Sequence, residues 1–190
     1  MKTYICLIFA GLFLTSSLNA QEKNGSGDAE AIPGASLLVA IHERVAIANE
    51  ITDDLESAEK ALEQLRSLKF PSGLPVGKEA GMGFAATDIG HRLLAAGKPI
   101  AAEIFFRAAE NSLSNAVEST SDELASEKSS YLQNLAHIRS NYLGKHKEAQ
   151  EDMADAAALL PDNERLQRWS KNYTARLNAR LASSREEAAR

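Results

Sequence analysis

The stretch "SGLPVGKEAGMG", residues 72–83, is where phosphate chemistry would have to reside. A phosphate-binding loop needs G-x-x-x-x-G-K followed by Ser or Thr, so that backbone amides cradle the phosphates and the hydroxyl reaches magnesium. Here Gly73 and Gly77 are separated by three residues, and Glu79 stands where the hydroxyl belongs and would repel a phosphate. Gly77, Gly81 and Gly83 serve no better as a dinucleotide fingerprint, which follows a strand; a helical pattern precedes these glycines. The segment reads as a loop over 69–83.

Other chemistry is equally thin. His42, His91, His137 and His146 form no H-E-x-x-H, and no two are four apart, so no metal site and no cofactor is expected. The neighbouring carboxylates Asp53-Asp54 and Glu151-Asp152 fall in helical pattern, where adjacent residues point about 100° apart and mostly into water. They make poor acid/base pairs. No serine has a G-x-S-x-G context. Cys6 is the only cysteine and lies in the leader described next. The expectation is a protein that is not an enzyme.

Residues 1–20, "MKTYICLIFAGLFLTSSLNA", join one cation to a short apolar run and a small-residue end at Ala20. That is the pattern of a secretory signal peptide; the run is too short for the roughly 20 residues of a membrane span. Cleavage would leave no integral membrane segment, no thiol and a net charge of −6. The chain is expected to be exported, periplasmic or secreted, and an acidic protein of this kind is not expected to bind nucleic acid. The C-terminal end differs, carrying Arg165, Arg168, Lys171, Arg176, Arg180, Arg185 and Arg190. The default for such a run is a solvated helix face.

Positions for these groups are set by helices. After a polar, Gly-bearing linker at 21–34, residues 35–68 contain no Gly or Pro. Ile41, Val45, Ala48, Ile51, Leu55, Ala58, Leu62 and Leu65 recur at steps of three and four, one face of a long amphipathic helix. Beyond the loop, helical pattern runs over 85–96, 99–117, 121–143, 145–160 and 163–182, with a tail at 183–190. Thr120 with Glu123 offers a capping box, and Pro99 suits a first helical turn. Trp169 and Tyr173, four apart, share a face of the last helix. No run alternates as a strand would; the chain reads as all-α.

Two of these segments echo each other. With Gly144 aligned on Gly97, Ala149, Met153 and Ala156 fall on Ala102, Phe106 and Ala109 at a constant offset of 47. The glycine turns the chain between two helices, the alanines let them approach, and the large residue fills the groove between pairs. Such a hairpin cannot bury its apolar face alone, so neighbours must stack. "IGHRLLAAGKPIAAEIFFRAAEN" (89–111) and "LAHIRSNYLGKHKEAQEDMADAAALLPDN" (135–163) resemble units of the tetratricopeptide repeat (TPR) family. Ile89, Gly90, Leu93, Ala102, Phe106 and Ala109 carry the resemblance in the first, Ala149, Met153, Ala156 and Pro161 in the second. His137 falls where the family has a small residue, unless one residue is inserted and Ala136 takes that place. The spacing of 47 exceeds the family's unit of about 34. The extra length lies in 112–130, and the helices at 35–68 and 163–182 would cap the two ends.

The resemblance implies helical hairpin repeats, a TPR-like α-solenoid over 84–182, and a function in binding. An exported scaffold or adaptor would hold a protein or peptide in a groove lined by the first helix of each pair. Carried onto this chain, that groove takes Thr87, His91 and Leu94, with Asn134, His137 and Asn141 from the second unit. Family members that clamp a C-terminal carboxylate use Lys and Asn where Thr87 and His91 stand, so that mode is not expected. The second reading is a structural envelope protein that self-associates through a coiled coil at 35–68.

Overall fold

The first helical stretch breaks where Thr and Asp gather. The computed structural model describes residues 43, 44, 46–68 and 77–188. The signal peptide at 1–20, the linker at 21–34, residues 69–76 of the expected loop, and Ile41 and Val45 of the apolar seam lie outside the described residues. Helix reaches residue 50, leaves the helical path over 51–54, and resumes as α1, Leu55–Ser67. The continuous helix expected over 35–68 is therefore corrected to two segments. The cause is local: short polar side chains compete for the backbone. Asp54 caps the new helix by accepting from the Ser57 amide at 2.8 Å, and the Thr52 amide donates to the Ser57 hydroxyl at 2.9 Å. The seam breaks with it. Ala48, Ile51, Ala58, Leu62 and Leu65 are buried, but Leu55 is 57% exposed.

The other elements are α2, Lys78–Ala95; α3, Pro99–Ser119; a 3-10 helix, Asp122–Leu124; α4, Ala125–Asn141; α5, His146–Leu159; and α6, Glu164–Ala188. Among the described residues none is in a strand, so the described chain is all-α, and its helices pack mostly on their sequence neighbours. Helix α2 begins at Lys78, inside the loop expected over 69–83. Gly83 belongs to this helix because α2 crosses α3 there: a Cβ would stand 2.5 Å from Leu113 Cγ. Helix α6 runs to Ala188, which removes the expected tail; "SSREEAA" offers no Gly or Pro to stop it. Ser121, not Thr120, caps the segment before α4, accepting from the Glu123 amide at 3.2 Å.

Two hairpins form the body. Helix α2 packs on α3, and α4 on α5. Both turns place glycine at positive φ, 73° at Gly97 and 67° at Gly144, a region costly for other residues. In the first turn the Lys98 amide donates to Leu93 O at 2.9 Å and the Gly97 amide to Leu94 O at 3.0 Å, a Schellman end. In the second, the Lys145 amide reaches one residue further, to Arg139 O at 2.8 Å. Ala136 is fully buried and clusters with Met153, while Gly90 lies against Phe106.

The core has two parts. A large cluster joins α1, α2 and α3 with Tyr131, Leu135 and Ile138 of α4. A smaller one joins Ala136, Ala149, Met153, Ala157 and Leu166, with Tyr173 packed against it. The Tyr173 hydroxyl donates to Ala136 O at 2.7 Å, and the Asn163 side chain accepts from the Leu166 amide at 3.0 Å, fixing α6 at the end of the row. At the other end Asp53 accepts from the Ala101 amide at 3.0 Å, and Lys98 Nζ donates to Ile51 O. The broken segment thus caps α3 from outside, satisfying an amide that has no partner within the helix. Among the described residues no helix is long and apolar enough to cross a membrane.

Candidate partner-binding face

The close approach of α2 to α3 at Gly90 carries the next residue, His91, to the border with α4. Its ring lies 5.4 Å from Phe106, 5.2 Å from Tyr142 and 5.8 Å from His137, the last edge-on. Phe106 and Tyr142 stack at 4.0 Å with 7° between their planes. His137 also meets Tyr142, at 5.6 Å. Four rings from α2, α3, α4 and the α4–α5 turn therefore form one cluster across the two hairpins. Asn141, one turn beyond His137, has its amide nitrogen 3.0 Å from His137 Nδ1 and donates to His137 O at 3.0 Å.

Burial decides the charge here. It pushes the His91 imidazole down to about 4, helped by the nearby His137 and opposed by Asp88. His137 is lowered by burial as well. At neutral pH both rings are uncharged, because protonation would desolvate a cation among aromatic rings. His91 Nε2 is buried with no hydrogen-bond partner among the described residues. A buried polar atom left unmatched costs about 1–3 kcal/mol. Among the described residues no three His, Cys, Asp or Glu side chains converge as metal ligands would.

The residues expected to line a groove divide into two sets. His91 and Leu94 of α2 come to one face with His137 and Asn141 of α4; Leu94 is 39% exposed and Asn141 is exposed. Thr87 is buried and Asn134 is half-buried. The Thr87 hydroxyl donates to Gly83 O at 2.8 Å and is buried, so its place on the groove is corrected to the α2 interior. The Asn134 amide donates to Ser130 O at 2.9 Å, held to its own helix. The residues expected as packing signature, Gly90, Ala102, Phe106, Ala109, Ala149, Met153 and Ala156, are all buried. Gly97, Gly144 and Pro161 occupy turns.

Beside the rings lies an ionic cluster that the sequence reading missed. Arg139 of α4 donates through Nε to Glu110 of α3 at 2.8 Å, through Nη1 to Asp152 of α5 at 2.7 Å, and through Nη2 to the Ser114 hydroxyl at 3.2 Å. Lys145 adds contacts to Glu110 at 2.9 and 2.8 Å. Burial works to raise the Glu110 carboxyl, but the Lys145 and Arg139 hydrogen bonds overcome it and hold it below its ordinary range. Burial pushes Asp152 up to about 6 against the pull of Arg139. The adjacent pairs thus part company with expectation. Asp152 is buried in this cluster, while Asp53 and Asp54 cap helices. One signal was available: Arg139 stands four residues after Leu135 and seven after Leu132, both buried, a charge in an apolar period. Removing one partner of such a buried cluster costs more than the cluster itself adds to stability.

The described surface offers little enclosure. A wide depression of about 680 Å³ is lined only by the consecutive residues Leu159–Glu164 of one turn. A cleft of about 130 Å³ lies between Gly77–Ala80, the end of α3 and Tyr131. The first is local to one turn; the second brings Lys78 and Glu79 of α2 beside Tyr131 of α4. Compared with family models, with curated proteins and with solved structures, the chain has no match.

Proposed function

We propose that the chain is an exported, non-catalytic scaffold of TPR-like construction, which holds a segment of another protein against the face shared by α2 and α4. The observation that carries this reading is the meeting of His91 and His137, 5.8 Å apart, from the first helices of two successive hairpins. That is the surface on which the helical-repeat resemblance puts a bound segment. Exposed Leu94 and Asn141 flank the pair and supply one apolar and one amide contact. The rings are neutral at pH 7, so the surface favours a segment with aromatic or uncharged polar side chains over an acidic one. No cofactor is required.

The coiled-coil reading draws less support. The seam residues Ala48, Ile51, Ala58, Leu62 and Leu65 are spent on the chain's own core, and among the described seam residues Leu55 is the exposed one.

The test is affinity capture of the tagged chain from its own host, beside a Leu94→Asp/Asn141→Asp variant whose circular-dichroism melt matches the parent. The proposal expects a distinct protein recovered near stoichiometrically with the parent and lost with the variant. Equal recovery with both, or recovery of nothing but the bait, would contradict it.

A further inference from the structure

The outward side of α6 is a run of cations. Between Arg165 and Arg185 the sequence has no carboxylate. Arg165, Arg168, Lys171 and Arg176 are all exposed and enter no ion pair among the described residues. The helix cannot roll to hide them. Leu166 and Leu177 are buried, Tyr173 is bonded to Ala136, and the Gln167 side chain donates to Ala157 O at 2.6 Å. At about 100° per residue, Arg165, Arg168 and Arg176 share roughly a quarter of the helix circumference, with Lys171 beside them.

The opposite end of the helix row carries the opposite charge. Helix α1 packs on α2 and α3, whereas α6 packs on α5. Residues 43–66 hold seven carboxylates against three cations. Buried Ala58, Ala61, Leu62 and Leu65 turn Glu56, Glu59 and Glu63 outward, where they are exposed and enter no ion pair among the described residues. Among the described residues each end also exposes one large apolar side chain, Leu55 at 57% on α1 and Trp169 at 36% on α6.

We infer that the occupant of the α6 face is a second copy of this chain. The basic side of α6 docks on the acidic side of α1 of the next molecule. The contact is head-to-tail, so each copy keeps one unused end and the assembly extends as an open chain or closes as a ring. It uses neither Leu94 nor Asn141, leaving the α2/α4 face open along the array, and so stands or falls independently of the scaffold reading. Because the attraction is between exposed charges, salt weakens it; the screening length shrinks from about 30 Å at 0.01 M to about 8 Å at 0.15 M.

The test is sedimentation velocity on the chain purified from its host, at low and physiological salt. Two variants accompany it, Arg165→Glu/Arg168→Glu/Arg176→Glu and Glu56→Lys/Glu59→Lys/Glu63→Lys, each checked for unchanged helicity. The inference expects concentration-dependent species larger than a monomer at low salt, reduced at least tenfold in apparent association by physiological salt. Each variant alone should be monomeric, because its two ends now repel. An equimolar mixture of the two should associate again, because each supplies the charge the other needs. A parent monomeric at every concentration in low salt would overturn the inference, as would self-association indifferent to both variants. So would a monomer that instead binds vesicles containing phosphatidylglycerol through α6, which would assign the face to an anionic surface.

Discussion

Gly90 lies so close to Phe106 that a single added carbon would stand 2.8 Å from Cε1 of the ring. Phe106 is buried and stacked on Tyr142, so it cannot swing aside cheaply. The missing side chain at Gly90 thereby sets how near α2 comes to α3, and how near His91 comes to His137.

Leucine at this position should destabilise the fold by about 1–3 kcal/mol through overpacking. Alanine should cost less, since its better helix propensity returns up to about 1 kcal/mol. Trimming the ring with Phe106→Leu should recover part of the Gly90→Leu loss. Urea denaturation of the single and double variants checks this; an unchanged midpoint for Gly90→Leu would contradict the crossing.

The two turn glycines should fail for a different reason. Nothing lies within 4 Å of a Cβ built at Gly97 or Gly144, so the strain is wholly that of positive φ. Alanine should cost about 1–2 kcal/mol at each. Gly77, equally open but at φ −57°, is the control and should tolerate alanine. Thermal melts of the three variants separate backbone strain from crowding.

Replacing Arg139 by Met should be the most damaging single change, on the order of 3–5 kcal/mol, because Glu110 and Asp152 would be left buried with less compensation. Adding Asp152→Leu should recover part of the loss. A double-mutant cycle measures the coupling; simple additivity would show that the two groups do not act together.

Acid should expose the two imidazoles. The folded pKa of His91, about 4, lies below the ordinary 6.5. Its neutral burial therefore contributes stability that is complete above pH 6.5 and is lost as pH falls through 4, on the order of 2 kcal/mol between pH 7 and 5. His137 acts in the same direction. Asp152, raised to about 6, acts oppositely: its contribution is complete below about 3.8 and is lost as pH rises through 6. His91→Phe should isolate the histidine contribution. The variant should be no less stable at pH 7 and should lose less between pH 7 and 5 than the parent. Parallel profiles would show that His91 is not neutral in the folded state.

Helix punctuation was legible from the sequence at Gly97, Gly144, Pro99 and Pro161, residues whose backbone chemistry admits few other roles. The small and large residues that follow each glycine were legible too. The break at Thr52–Asp54 was not, since it has no Gly or Pro and depends on side-chain caps within an otherwise helical composition. Gly83 misled for the opposite reason: it is a contact with Leu113, not a loop signal. The convergence of His91 on His137 depends on how the two hairpins meet, which spacing alone leaves ambiguous. Asp152 was read as solvated because adjacent residues of a helix mostly face water; its burial beside Arg139 depends on how α5 packs on α4.

The central claim is that the α2/α4 face holds another protein. It is tested most directly by placing a photo-reactive amino acid at Leu94, at Asn141 and, as a control, at exposed Arg107 on α3, then irradiating the living host and sizing the products. The account predicts a discrete cross-linked species from positions 94 and 141, containing a different protein, and none from 107. No product from 94 and 141, or the same products from all three positions, would contradict it.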